Sequence, residues 1–404
     1  MKTPARKLNF ISSSGIRKFF EMERAYGDVL SLATGEPDYA TPKHVTEAGV
    51  EALRSGYTHY TSNLGLQELR QAIANKLQRE NDVEYSPEEI MITSGSSEAL
   101  IDTLLSTLDP GDEVMLFDPC YVAYEPCVRL AGGSPVHVPT YEEDDWNPNP
   151  ELIKKKIAPR TKVILLSSPS NPTGAVLSKD TLETIAEIAQ KQDIFIVSDE
   201  VYEKIVYDGI RNYSIASFSN MKERTYTING FSKAYAMTGW RIGYVACPKA
   251  LMDSLLKVHQ NSALCAPAMA QKAACVALTG PQGCVREMVE EYARRRDLII
   301  SEINKIDGFS CRKPKGAFYA FANVKELLAR KGDAIREYLK ERIEVPVSLS
   351  EQFMDYIFQS AHVVVVAGSF FGMEGEGYVR MTYAKSSQEI REAFQRINEA
   401  VSNI

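Results

Sequence analysis

The sequence predicts an α/β fold: a large domain built on a mostly parallel central sheet flanked by helices, with a smaller α+β domain after it. Two observations carry this. From residue 89 onward, short apolar runs alternate with helical stretches, the pattern of strands joined by helical crossovers. The runs at 163–166 and 194–197 are apolar on successive residues rather than on alternate ones, as expected of central strands covered by helices on both faces. The 404 residues and 44% hydrophobic content allow a sizeable core.

In chain order, the strand-like runs are EIMIT (89–93), EVMLF (113–117), SPVHV (134–138), KVILLSS (162–168), DIFIVSD (193–199), RTYTING (224–230) and RIGYVAC (241–247). Helical patterns such as SKDTLETIAEIAQKQ (178–192) separate many of them. After Pro248 the texture changes. PKALMDSLLKVHQ (248–260) and VREMVEEYARRRDLIISEI (285–303) read as helices leading to a second group of strands. That group is GAFYAFANV (316–324), AHVVVVAG (361–368) and GYVRMTYA (377–384), closed by a helix over 386–404 with Ser386 as its N-cap. Residues 41–284 are thus expected to form the large domain and 285–404 the small one. No repeat, low-complexity tract or flexible tether interrupts the chain.

Composition excludes several classes of function. Forty-six Lys and Arg against 53 Asp and Glu leave a net charge of -7, so no general basic field is available for a nucleic acid. The seven cysteines are scattered and never form CxxC, which points to reduced, mostly buried thiols. The five histidines show no HExxH pairing and are far apart in sequence, so no metal is expected. Apolar runs fall far short of the ~18 residues of a membrane span. Lys2, Arg6, Lys7, Arg17 and Lys18 superficially suit a transit peptide, but GIRKFFEMERAYG (15–27) continues into the fold. A basic N-terminal arm and helix on a cytoplasmic protein is the expectation.

In open α/β sheets, ligands bind beyond the carboxyl ends of the strands, which directs attention to the polar residues there. After EIMIT comes SGSSEAL, where small and hydroxyl residues open a helix; Ser96 and Ser97 either cap it or, with its free N–H groups, hold a phosphate. After KVILLSS comes PSNPTGAV, whose prolines and glycine fix a turn that sets the Asn171 amide at the sheet edge. Asp199 ends a buried strand, where a carboxylate needs a partner, structural or catalytic. After TYTING comes FSKAYAMTGWRIG, placing Lys233 among Phe231, Tyr235, Met237 and Trp240, with Arg241 beyond. A lysine in apolar company loses its proton easily and can attack a carbonyl. Arg380 interrupts the strand pattern GYVRMTY, where a guanidinium asks for an anion, either a structural carboxylate or a bound one. Phosphate cradle, amide, buried carboxylate, lysine and arginine together match the needs of pyridoxal phosphate. The glycine-rich GMEGEG (372–377) fits no phosphate-binding pattern and reads as a turn.

The chain resembles, over nearly its whole length, a class I aminotransferase of the fold-type I pyridoxal-phosphate enzymes. The motifs run in that family's order: TGEPD (34–38), THYTSNLGLQELR (58–70), SGSSEAL (94–100), NPTGAV (171–176), SDEVY (198–202), GFSKAYAMTGWRIG (230–243) and GYVRMTYA (377–384). The resemblance implies a homodimer with shared sites and adds residues 1–40 to the small domain. It implies that Lys233 is the Schiff-base lysine and proton shuttle, that Asp199 pairs with the pyridine nitrogen, and that Asn171 and Tyr202 bond the ring hydroxyl. Gly95, Ser96, Ser97, Ser232 and Arg241 would hold the phosphate, with Tyr60 reaching it from the neighbouring subunit. Tyr121 would lie flat against the ring, and Arg380, with Asn171 and the backbone at Gly35, would hold the substrate α-carboxylate. Gly230 stands where animal aspartate aminotransferases carry a phosphate-binding serine.

Three activities suit these motifs. The expected one transfers an amino group from aspartate or glutamate, and from aromatic donors too, to a 2-oxo acid such as 2-oxoglutarate. A β-lyase acting on carbon–sulfur bonds, or a transaminase restricted to aromatic acids, alanine or diaminopimelate, shares the same motifs. A cofactor-sensing transcription regulator is disfavoured, since about 30 residues before TGEPD are too few for a helix-turn-helix domain. The lysine that binds a distal carboxylate in some bacterial relatives is replaced by Ser97, leaving Arg17 and Lys18, beside Phe19 and Phe20, as the candidate cations.

Overall fold

The computed structural model describes residues 28–404 together with residues 5, 8, 9 and 11. The 15–27 segment, including Arg17, Lys18, Phe19 and Phe20, lies outside the described residues.

Strand β1 (Leu30–Ser31) enters the fold ahead of a seven-stranded sheet. That sheet comprises β2 (Ile90–Thr93), β3 (Glu113–Asp118), β4 (Ser134–Pro139), β5 (Thr161–Ser167), β6 (Phe195–Asp199), β7 (Thr225–Gly230) and β8 (Gly243–Ala246). Its order is β2-β8-β7-β6-β5-β3-β4, and only β8 runs antiparallel to its neighbours. Every apolar run expected between 89 and 247 supplies one of these strands. The continuous apolar character of β5 has a direct cause. Val163 and Leu165 pack on one face with Ala99, Leu104 and Leu255, while Ile164 and Leu166 pack on the other with Leu182, Ile185 and Ala189. Helices therefore cover both faces.

The helix Lys179–Gln192 starts where Ser178 accepts a hydrogen bond from the Thr181 N–H, and it stops at Asp193 in the left-handed conformation. Register aligns the strand ends that matter: Ser167 sits opposite Asp199, and Asp199 opposite Ile228. Gly243 faces both Thr93 and Gly230 across the antiparallel pairings. The ends of β2, β5, β6 and β7 thus open onto one edge.

The remaining strands are β9 (Tyr319–Asn323), β10 (Val363–Val364), β11 (Val366–Ala367) and β12 (Tyr378–Thr382). β11, β12 and β9 form an antiparallel sheet, whereas β10 pairs with β1 in parallel. The valine run 363–366, expected as one strand, is therefore two: the chain changes partners at Val365, and all four valines remain buried. The long helix Gly283–Ile303 sends Met288, Tyr292, Ile299 and Ile303 into the same core as Phe318, Phe321 and Met381. The closing helix Ser387–Ser402 begins at a complete capping box between Ser386 and Glu389.

All seven cysteines are free thiols, but only Cys247 is buried; the other six are half-buried. Among the described residues, no helix is long and apolar enough to cross a membrane.

Candidate active site

A cavity of about 360 Å3 opens at the aligned strand ends, between the large sheet and the β9–β12 region. Of the residues singled out from sequence, it gathers Gly35, Ser96, Ser97, Tyr121, Asn171, Asp199, Tyr202, Ser232, Lys233, Arg241 and Arg380. Gly95 adjoins it as the N-cap of the helix Ser96–Thr107. Tyr60 does not reach it and is 83% exposed.

Lys233 lies in the turn after β7, and its Nζ donates to the Gly35 carbonyl at 2.5 Å. Burial brings its pKa down to about 8; Glu36 opposes the shift, and Arg380 and Arg241 add to it. The aromatic rings its ammonium faces are Tyr202 and Phe318, at 5.8 and 5.9 Å. This corrects the expected surroundings, because Phe231, Tyr235 and Met237 turn into a separate core with Ile73 and Leu77. A turn sends successive side chains in different directions, so neighbours in sequence are not neighbours of the ammonium.

Asp199 ends β6. Its Oδ2 accepts from the Tyr124 hydroxyl at 2.7 Å and its Oδ1 from the Val201 N–H at 3.2 Å. Burial raises its pKa, and those two donors hold the rise back.

Arg380, on β12, is 4% exposed. Its Nη1 donates to Asn171 Oδ1 at 3.0 Å and its Nη2 to the Ala33 carbonyl, while its Nε has no partner among the described residues. The guanidinium lies 4.5 Å from the Tyr319 ring centroid and 5.1 Å from that of Phe371. It forms no ion pair with any described residue, so none of these supplies the structural carboxylate considered from sequence. A buried cation held only by neutral groups is expensive without an anion to complete it.

At the far side, Gly95 has φ of 89°, and a Cβ there would come within 2.5 Å of Arg241 Nη2. The first N–H groups of the following helix lack helical acceptors. Arg241 donates to the carbonyls of Thr238 at 3.1 Å and Ser94 at 3.4 Å. Helix terminus, hydroxyls of Ser96, Ser97 and Ser232, and guanidinium form the donor set that suits a phosphate.

Several cavity residues were not anticipated. Tyr124 follows Tyr121 by three residues, and the two rings pack edge to face at 5.5 Å between centroids. Tyr319 bonds the Tyr202 hydroxyl at 2.7 Å, and its own hydroxyl would lie 2.7 Å from a Cβ at Gly35. Glu36 accepts from Thr238 Oγ1 at 3.0 Å at the rim. The histidines, compared only with one another in the sequence, concealed a further cluster: His259 meets Glu98 and Asp102 from the neighbouring helix.

The model of the family described as aminotransferase class I and II matches residues 27–397. An aspartate aminotransferase of Pyrococcus abyssi is 42% identical, with 98% of this chain and 97% of that protein covered. An aromatic-amino-acid aminotransferase of Thermococcus litoralis is 41% identical over the same shares of each chain. The crystal structure of an aromatic aminotransferase from Pyrococcus horikoshii superposes with a TM-score of 0.87 at 42% identity, covering 98% of both chains. The chain belongs to the class I and II aminotransferases, and it is a transaminase of the fold-type I architecture.

Proposed function

We propose that this aminotransferase uses pyridoxal 5′-phosphate in the cavity and moves amino groups from aspartate or glutamate, and also from aromatic amino acids, to 2-oxo acids such as 2-oxoglutarate. The observation that carries this reading is the pairing, in one cavity, of a lysine whose pKa is near 8 with a buried arginine that lacks a carboxylate. Gly95, Ser96, Ser97, Ser232 and Arg241 would hold the phosphate, Asn171 and Tyr202 the ring hydroxyl, Asp199 the ring nitrogen, and Tyr121 the ring face. The donor set at Gly95 and the anionic Asp199 match those groups in charge. When bound, the cofactor supplies an electron sink for the pair left at the substrate Cα.

Lys233 Nζ, unprotonated in a useful fraction near pH 8, would take the proton from the substrate Cα and hold it at Nζ for its return. Asp199 keeps a cation favourable at the ring nitrogen. Arg380 and Asn171, with the backbone at Gly35, fix the α-carboxylate, and the aromatic side chains around them exclude water. Tyr60, exposed and outside the cavity, suits a role in the site of a second copy, which supports the reading of a homodimer with shared sites. Free cysteines, most of them half-buried, suit a reducing cytoplasmic setting.

The relatives named above include aspartate and aromatic transaminases at nearly equal identity, which supports a broad donor range. Single-turnover reactions of the purified enzyme with aspartate, glutamate, tyrosine, alanine and diaminopimelate test it. Reaction with the dicarboxylic and aromatic acids is expected, and exclusive use of alanine or diaminopimelate would overturn the substrate assignment.

A further inference from the structure

Ser94, the residue before Gly95, has both of its peptide groups engaged. Its carbonyl accepts from Arg241, and its N–H donates to Oε2 of Glu98 in the first turn of the following helix. Gly95 is held as well, its N–H on the Thr93 carbonyl at 2.8 Å and its carbonyl on Thr93 Oγ1 at 3.0 Å. Only the N–H groups beyond Gly95 are left for a ligand.

Glu98 is an odd choice for this place, since a carboxylate beside an anion site repels the anion. Its other oxygen explains how it is tolerated: Oε1 lies 3.3 Å from Nδ1 of His259, a fully buried residue of the helix Lys249–Ser262. The same Nδ1 is 3.3 Å from Asp102 Oδ2, and Ser262 donates to the other Asp102 oxygen. The two carboxylates raise the His259 pKa to about 9 against the opposing effect of burial, so the imidazole is cationic at neutral pH. Glu98 is drawn away from the cavity by a cation that cannot leave.

We propose that Glu98 is a positioning residue for phosphate binding, holding the Ser94 peptide in the orientation that Arg241 and the helix terminus need, and that His259 locks it there. The inference rests on the phosphate site proposed above. Neither side chain lines the cavity, so both act through the turn.

The test is titration of the cofactor-free, full-length protein with pyridoxal phosphate and with pyridoxal, whose affinity ratio isolates the contribution of the phosphate. The parent should discriminate strongly. Glu98→Leu should reduce the ratio about tenfold or more, and His259→Gln by a smaller factor, with pyridoxal affinity nearly unchanged. Glu98→Gln, which keeps an oxygen for the Ser94 N–H at equal volume, should restore most of the ratio. A parental ratio in both Glu98→Leu and His259→Gln, or an equal loss of both ligands, overturns the proposal. If Glu98→Leu does not fold, as judged by its thermal melt, His259→Gln decides alone. A parent that does not distinguish the two ligands would instead overturn the phosphate site itself.

Discussion

The Tyr124 hydroxyl donates a 2.7 Å hydrogen bond to Asp199 Oδ2 and so supplies, among the described residues, the one side-chain donor to a carboxylate that otherwise receives the Val201 N–H. Tyr124 is 2% exposed, and burial together with the Asp199 charge raises its own pKa well above the ordinary phenol value, so it donates and does not ionise. The bond thereby favours the charged form of Asp199, against a burial that raises its pKa.

Tyr124→Phe should accordingly lower the ionised fraction of Asp199 and loosen its orientation. A hydrogen bond to a charged group contributes about 1.5–3 kcal/mol, so kcat/KM should fall roughly ten- to hundredfold for every amino donor. Steady-state kinetics with two donors of different side chain checks this. A loss confined to one donor would move Tyr124 from the Asp199 assembly to the specificity pocket.

Which parts of this arrangement the sequence revealed follows from range. Lys233, Asp199 and Asn171 stood out because each follows an apolar run, and the sheet register gathers such positions at one edge. Arg380 stood out as a charge inside a strand. Tyr124 and Tyr319 did not, since each reads locally as a core aromatic and its hydroxyl partner lies far along the chain, Asp199 for one and Tyr202 for the other. The valine run 363–366 misled for the same reason: nothing local marks the residue at which a buried strand exchanges one sheet for another.

Lys233→Met should abolish transamination yet stabilise the cofactor-free protein. The folded-state pKa of Lys233, about 8, lies below its ordinary 10.5, so the folded form binds fewer protons than the unfolded form between those values. Stability therefore rises with pH across that window, and the charged lysine is most unfavourable below pH 8. The variant should gain roughly 1–2 kcal/mol at pH 7, as substitutions that relieve active-site strain commonly do. Denaturant melts should show the gain shrinking from pH 8 toward 10.5; a gain independent of pH would contradict the titration assigned to Lys233.

Ser386→Ala isolates a contribution far from the cavity. The capping box joins Ser386 and Glu389 reciprocally, with hydrogen bonds of 3.2 and 2.9 Å. Losing the side-chain acceptor should cost about 1 kcal/mol. Chemical denaturation should show that loss with kcat and KM unchanged, because the helix Ser387–Ser402 contributes nothing to the cavity lining.

Arg380→Lys tests the buried guanidinium by removing its planar fork while keeping the charge. Arg380 now uses two nitrogens on Asn171 and Ala33 and is stacked against Tyr319, leaving the remaining donor capacity for an anion. A lysine presents a point charge, cannot bond a carboxylate with two parallel N–H groups, and must shed a tighter hydration shell to occupy the site. Since every amino donor and every 2-oxo acceptor carries the same α-carboxylate, the loss should be uniform: roughly a hundredfold in kcat/KM for aspartate, tyrosine and 2-oxoglutarate alike. Burial already lowers the Arg380 pKa, and Lys starts from a lower value, so a lysine buried there gives up its charge at a lower pH than the guanidinium does. The variant should therefore recover some activity at lower pH, where that lysine is charged, in a pH–rate profile that the parent does not share. A loss falling mainly on the dicarboxylic substrates would place Arg380 at the distal carboxylate instead.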